Sequence, residues 1–324
     1  MKFLLVIGNT KVANINGITI AGQSPELVKY TPVADAEFLF HRLPRSINQI
    51  PVSPQGHPTP AIITKAINRI LKVPTFVVRS GSMEAPKVPF VQISSMVGGD
   101  ITLEDGVPNC NEIEEYAKIF AKNFQDEESI IIGESIPGGT TTAMAVLNSM
   151  GHDFISSSSS EINPIEIKRG TVEKALKRIN FNRSTRLDRK AIAMHFGDPV
   201  LCFISNFIDY YDGKIILAGG TQMLAAYALS NGNENLEIWT TKYVAEDKTA
   251  TFKQTAKELG VKYKISEVNL SKSKFQGLRD YERGVVKEGV GAGAFMVLAE
   301  KSGLSNETIV NSIDEIYEDL ISNS

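Results

Sequence analysis

The chain has 324 residues, 42% hydrophobic and 22% charged, with a mean hydropathy of −0.07; this is ordinary globular composition and excludes a disordered or fibrous chain. Its 34 Lys and Arg against 37 Asp and Glu give a formal charge of −3, which argues against a nucleic-acid binder working through broad basic electrostatics. No apolar run reaches the ~18 residues of a membrane span. The two cysteines, Cys110 and Cys202, cannot make a disulfide framework, so thiols in a reducing cytoplasm are expected.

In chain order, Met1–Gly8 (MKFLLVIG) is too short for a signal-peptide core and reads as a strand over Phe3–Ile7. A second short strand is expected over Gly17–Ile20. Residues 51–66 (PVSPQGHPTPAIITKA) are a proline-rich loop entering a helix over Ala61–Leu71. Gln55 and His57 in that loop stand where they can touch a ligand, although a histidine satisfied within its own turn is the simpler reading. Strands are then expected over Pro74–Val78, Ser129–Ile132, Lys214–Ala218, Leu236–Thr240 and Tyr263–Val268. Between them, apolar residues at helical spacing predict helices over Asn111–Asn123, Thr141–Met150, Ile165–Ile179, Thr221–Leu229 and Ala250–Leu259. The chain closes with a helical hairpin, Gly291–Lys301 and Glu307–Leu320. Such alternation predicts an α/β protein with a mostly parallel sheet covered by helices. Residues 1–50 break the alternation and are expected to form an appended subdomain.

Four strand-to-helix turns carry the chemistry. In Ile130–Leu147 (IIIGESIPGGTTTAMAVL), Gly133, Gly138, Gly139 and Thr140 reproduce the spacing of a P-loop, but Gly139 stands where that loop has its lysine. Backbone N–H groups at a helix start suit an anion. Without the lysine, a single phosphate is a better match than a nucleoside triphosphate. Tight packing alone also explains such glycines, but Glu134 inside the turn favours a site with a donor on its ligand. In Lys214–Tyr227 (KIILAGGTQMLAAY), Gly219, Gly220 and Thr221 repeat the grammar; the two turns would share a crevice if their strands are neighbours. In Gly284–Ala299 (GVVKEGVGAGAFMVLA), Glu288 is followed by Gly289, Gly291 and Gly293. A glutamate there is either a general base raised towards neutrality in a dry cleft or an acidic cap on a helix start. The fourth is the Gln55–His57 loop. The run Ser156–Ser160 reads equally as a mobile polar loop and as a binding loop, and His195 as a helix cap rather than a metal ligand. No metal-ligand spacing and no Ser–His–Asp arrangement stands out.

Taken together, these segments resemble the nicotinate-nucleotide–dimethylbenzimidazole phosphoribosyltransferase family of cobamide biosynthesis, most closely its archaeal branch. The resemblance runs from about Val52 to Ala299. Its strongest pieces are GESIPGGTTTAMAVL (Gly133–Leu147), where the family has Gly-Glu-x-x-x-Gly-Asn-Thr-Thr, and KEGVGAGA (Lys287–Ala294), where it has Gly-Glu-Gly-x-Gly-Ala. It implies a three-layer α/β/α fold with a Rossmann-like sheet in a catalytic domain of residues 51–290. A small domain would be assembled from residues 1–50 and 291–324, and the protein would act as a cytoplasmic homodimer. The implied reaction moves phosphoribose from nicotinate mononucleotide to a benzimidazole-type base, without cofactor or metal. The resemblance places the general base on Glu288 and the second active-site glutamate on Glu134. Nucleotide contacts fall on Gly138, Gly139, Thr140 and Thr141, on Gly219–Thr221 and around Gly289 and Gly291, and the resemblance also covers the loop that holds Ser157 and Ser158. The rivals are a nucleotide hydrolase on the same scaffold and a non-catalytic nucleotide-binding protein.

Overall fold

The computed structural model describes residues 1–21, 24–53, 55–182 and 185–322. Its first half contains β1 (Lys2–Ile7), α1 (Thr31–Phe40), α2 (Ala61–Leu71), β2 (Thr75–Ser80), β3 (Phe90–Ser94), α3 (Cys110–Lys122), β4 (Ser129–Ser135), α4 (Gly139–Ser149) and α5 (Ile165–Arg178). The second half adds α6 (Arg189–Phe196), α7 (Pro199–Tyr210), β5 (Lys214–Ala218), α8 (Thr221–Leu229), β6 (Leu236–Thr241), α9 (Lys242–Ala245) and α10 (Phe252–Leu259). It closes with β7 (Lys262–Ser266), α11 (Gln276–Arg279), α12 (Ala292–Lys301) and α13 (Asn306–Ser322).

The strands form one seven-stranded sheet in the order β3-β2-β1-β4-β5-β6-β7, with every pairing parallel. A parallel sheet must be covered on both faces, so its central strands β1, β4 and β5 are largely apolar, while the edge strands β3 and β7 carry exposed polar residues. Alternate residues of one strand therefore serve two cores. Leu4, Val6, Ile130, Ile132, Ile215 and Leu217 join the core beneath α3, α4, α7 and α8. Phe3, Leu5, Ile7, Ile131, Ile216 and Trp239 join the core beneath α1, α2, α12 and α13. The result is the three-layer α/β/α architecture that the alternation predicts.

Three expectations are corrected. Residues 1–50 and 291–324 do not separate from the sheet domain: β1 lies third in the sheet, between β2 and β4, because Phe3–Ile7 are apolar on both faces and wholly buried. The terminal helices α1, α12 and α13 instead pack with α2 as one helical layer. Gly17–Ile20 forms no strand; after a 3-10 turn at Lys11–Asn14, residues 18–21 run as irregular chain along a cavity. Finally, Cys110 and Cys202 are not free thiols but a disulfide, with Cα atoms 6.1 Å apart. The α3–α7 packing brings the start of one helix against the middle of the other, a juxtaposition that a sequence separation of 92 hides. No helix among the described residues is long and apolar enough to cross a membrane.

Candidate active site

The strand order reverses at β1: the chain passes from β1 to β2 on one side and later returns to β4 on the other. Open α/β sheets bind ligands just beyond the carboxyl ends of their strands at such a switch. A cavity lies there, walled by Glu134 and Ser135 at the end of β4, by Gly138–Thr140 and by Glu288–Val290. Its remaining wall comes from residues 18–21, α1 and the 47–60 loop, mostly aliphatic side chains and prolines.

Glu134 and Glu288, 154 positions apart in the numbering, meet because the Val290 N–H donates to the Glu134 carbonyl (2.9 Å). Gly133 and Gly291 permit this approach. A Cβ at Gly133 would lie 3.0 Å from the Gly291 nitrogen, and Gly291 holds φ +83°. These two glycines, expected to touch ligand, instead press β4 against the start of α12.

The Glu288 carboxylate accepts from the Gly289 N–H (3.1 Å), the Gly293 N–H (3.0 Å) and the Thr241 N–H (3.0 Å). It therefore caps the start of α12, as one reading of its sequence context expects, and lines the cavity at the same time. Burial raises its pKa to about 7 against those three donors. A Cβ at Gly293 would run into the carboxylate and the Thr240–Thr241 peptide, so only glycine fits there. The backbone around Glu288 is contorted, with φ of +69° at Val286, +63° at Lys287 and +54° at Val290. Left-handed geometry at a β-branched residue costs roughly 1–3 kcal/mol, and such strain gathers at functional sites.

Glu134 is 6% exposed. Burial, reinforced by the carboxyls of Asp198, Glu288 and Asp35, raises its pKa to about 8. Asp35 and Asp198 are residues that sequence reasoning missed. Asp35, on α1, accepts from the hydroxyls of Thr59 and Ser135, both at 2.7 Å, and burial raises its pKa to about 6. Asp198 caps α7 through the N–H groups of Val200 and Leu201 (3.0 and 2.9 Å) and accepts from the Thr142 hydroxyl; burial raises it too, to about 6. The Asp-Pro pair at 198–199 was the available signal, and it announces a cap but not a neighbour of Glu134.

Gly138, at φ +83°, opens α4, and Gly138, Gly139 and Thr140 all face the cavity. Thr141 points away, its hydroxyl buried. Gln222, which carries no signal in the sequence, borders the cavity beside Gly139: a Cβ at 139 would lie 3.1 Å from its amide nitrogen and 2.6 Å from Ile136 Cγ2. Gly219, Gly220 and Thr221 stay outside the cavity lining, with Gly220 packed on Val244. The Thr221 hydroxyl accepts from the Ser157 N–H (3.3 Å).

In the serine run, Ser158 and Ser159 line the cavity, while Ser157 turns away and donates to Asp247 (2.6 Å). Lys168, fully buried, donates to the Ser156 hydroxyl and the Ser157 carbonyl (3.0 and 2.6 Å). Gln55 is exposed and outside the cavity lining. His57 does line it, with Nε2 3.0 Å from Asp280 and Nδ1 3.1 Å from the Ser53 hydroxyl. A Ser–His–Asp chain therefore exists, contrary to the sequence reading, because the fold brings Asp280 across 223 positions. Ser53 also accepts His57's own N–H (3.2 Å), which makes this link part of the turn. His195 lies in the last turn of α6, against Asp105 (2.7 Å) and outside the cavity lining.

This arrangement offers a carboxylate poised near neutrality, a second carboxyl held protonated, and a helix start that suits an anion. No protein-family model matches the chain. Among solved structures, nicotinate-nucleotide-dimethylbenzimidazole phosphoribosyltransferase from Thermus thermophilus is similar with a TM-score of 0.61 and 13% identity, covering 98% of this chain and 82% of that one. That likeness establishes the fold. In sequence, a UPF0284 protein of Pyrococcus furiosus is 48% identical over 99% of both chains. Another, from Saccharolobus islandicus, is 43% identical over 99% of this chain and 94% of its own. With identity of that order running end to end, the chain belongs to the UPF0284 family.

Proposed function

We propose that the protein is a phosphoribosyltransferase that moves phosphoribose from nicotinate mononucleotide to a benzimidazole-type base, forming the α-linked nucleotide of a cobamide lower ligand. The observation that carries this reading is the placement of Glu288, raised to about 7, in one cavity with the start of α4. The start of α4 seats the phosphate through the Thr140 N–H, since the Gly139 N–H donates to the Ile136 carbonyl (3.1 Å), and the aliphatic wall receives the flat base. Glu288 takes the azole N–H proton while the other ring nitrogen attacks C1′. The bond from C1′ to the pyridinium nitrogen breaks, and its electron pair neutralises the departing nicotinate ring. Because that ring is cationic while bonded to ribose, it leaves without help from a metal. Glu134, held protonated, donates a hydrogen bond to the bound substrate. In this reading the protein works as a homodimer on small molecules, with no nucleic acid, membrane or cofactor.

The test is incubation with nicotinate mononucleotide and a panel of azole and purine bases, with mass detection of products. A new nucleotide that appears only with a base supports transfer. Ribose 5-phosphate released equally with and without a base makes the protein a hydrolase instead, and the absence of any product with retained nucleotide binding makes it a binding protein.

A further inference from the structure

Lys287 stands beside Glu288, yet its side chain leaves the cavity and is buried, 7% exposed. Its ammonium donates to the carbonyls of Ser158 and Ser160 and lies 3.3 Å from Asp247. Asp247 in turn accepts from the Ser157 hydroxyl. The backbone on either side joins the same seam: the Val286 N–H donates to the Ser159 carbonyl (2.8 Å), and the Lys287 carbonyl accepts from the Thr241 hydroxyl (2.8 Å). Three segments, 156–160, 241–247 and 286–290, thus converge on one ammonium group.

The backbone gives lysine no reason to be at this position. Its φ of +63° belongs to the region that suits glycine. A side chain with four methylenes accepts this conformation and buries its charge, so the contacts of that charge must offset both costs. It touches the loop whose Ser158 and Ser159 line the cavity together with Glu288.

We propose that Lys287 is a positioning residue that locks the Ser158–Ser160 loop to the Glu288 segment, so that ligand held by the loop and the carboxylate share one rigid frame. This role rests on the transferase reading only for its kinetic consequence; the lock itself is a property of the fold. Lys287 reaches neither substrate nor Glu288's carboxylate, and acts through the loop.

The test compares K287M, K287G and K287R with the wild type in two measurements. Amide hydrogen exchange reads the lock directly. K287M and K287G lose protection at least tenfold in both 155–161 and 286–291, while K287R, which keeps charge and several donors, recovers part of it. Kinetics read its consequence: in K287M and K287G the KM for nicotinate mononucleotide rises about tenfold and kcat falls. K287G also removes the backbone strain, so a defect shared by K287G and K287M in a folded protein belongs to the lost ammonium contacts. Wild-type exchange in both segments for K287M and K287G overturns the proposal, and so does loosened exchange with unchanged KM and kcat. If the wild type turns over no base in the panel, the transferase reading fails, while exchange still decides the lock.

Discussion

Glu134 lies among three other carboxyl groups and forms no ion pair among the described residues. Its folded pKa, about 8 against the ordinary 4.5 of a glutamate, means that the native state holds its proton more tightly than the unfolded chain. The associated stability is complete below about 4.5 and is lost as pH rises through about 8. E134Q keeps the shape and the neutral state. It should match the wild type in denaturant midpoint at pH 5 and exceed it at pH 9; a variant weaker at both would show instead that the carboxylate has a partner. Glu134 and Glu288 were legible in the sequence because each sits inside its own glycine turn. Asp35, Asp198 and Gln222 were not, because they reach the Glu134 region from α1, the start of α7 and α8, and no local pattern records that convergence.

At the scale of elements, β4, its turn and α4 form one wall of the cavity. Gly139 is where the resembled family has asparagine. Here, Ile136 and Gln222 fill the space that its side chain would need. G139N should therefore destabilise the protein by roughly 1–3 kcal/mol, the usual cost of overpacking, and raise the KM for nucleotide. Thermal melting with steady-state kinetics checks this; a G139N protein with unchanged melting and KM would mean that Gln222 yields freely. The helix α2, with one apolar face, was legible from periodicity and spans the expected Ala61–Leu71; α8, buried nearly all round, was legible from the glycine turn that opens it and spans the expected Thr221–Leu229. The helix α7 was not, because nearly all of Pro199–Ile208 is buried, which leaves no polar face to mark the period. The strand β3 was missed because it is an edge strand with exposed Phe90 and Gln92.

For the whole molecule, the alternation of strands and helices made the class of fold legible, but not that the first strand is third in the sheet. That placement sets the switch point between β1 and β4, and the switch point is where the cavity lies. Ile18, Ile20, Ile47 and Ile50, from the part of residues 1–50 that departed from the alternation, supply its aliphatic wall together with Pro51, Pro58 and Pro60. The near-neutral net charge is consistent with an anion held locally by a helix start, since no lysine or arginine lines the cavity among the described residues. The central claim is that Glu288 removes the proton in that cavity. It is tested most directly by the rate of nucleotide formation from nicotinate mononucleotide and a reactive azole, measured from pH 5 to 9 for the wild type and E288Q. The wild-type rate should rise through about pH 7, where Glu288 loses its proton. E288Q should bind nucleotide and fold normally, yet turn over ~10²–10⁴-fold more slowly, with no such rise. An E288Q enzyme with wild-type rates would contradict the account.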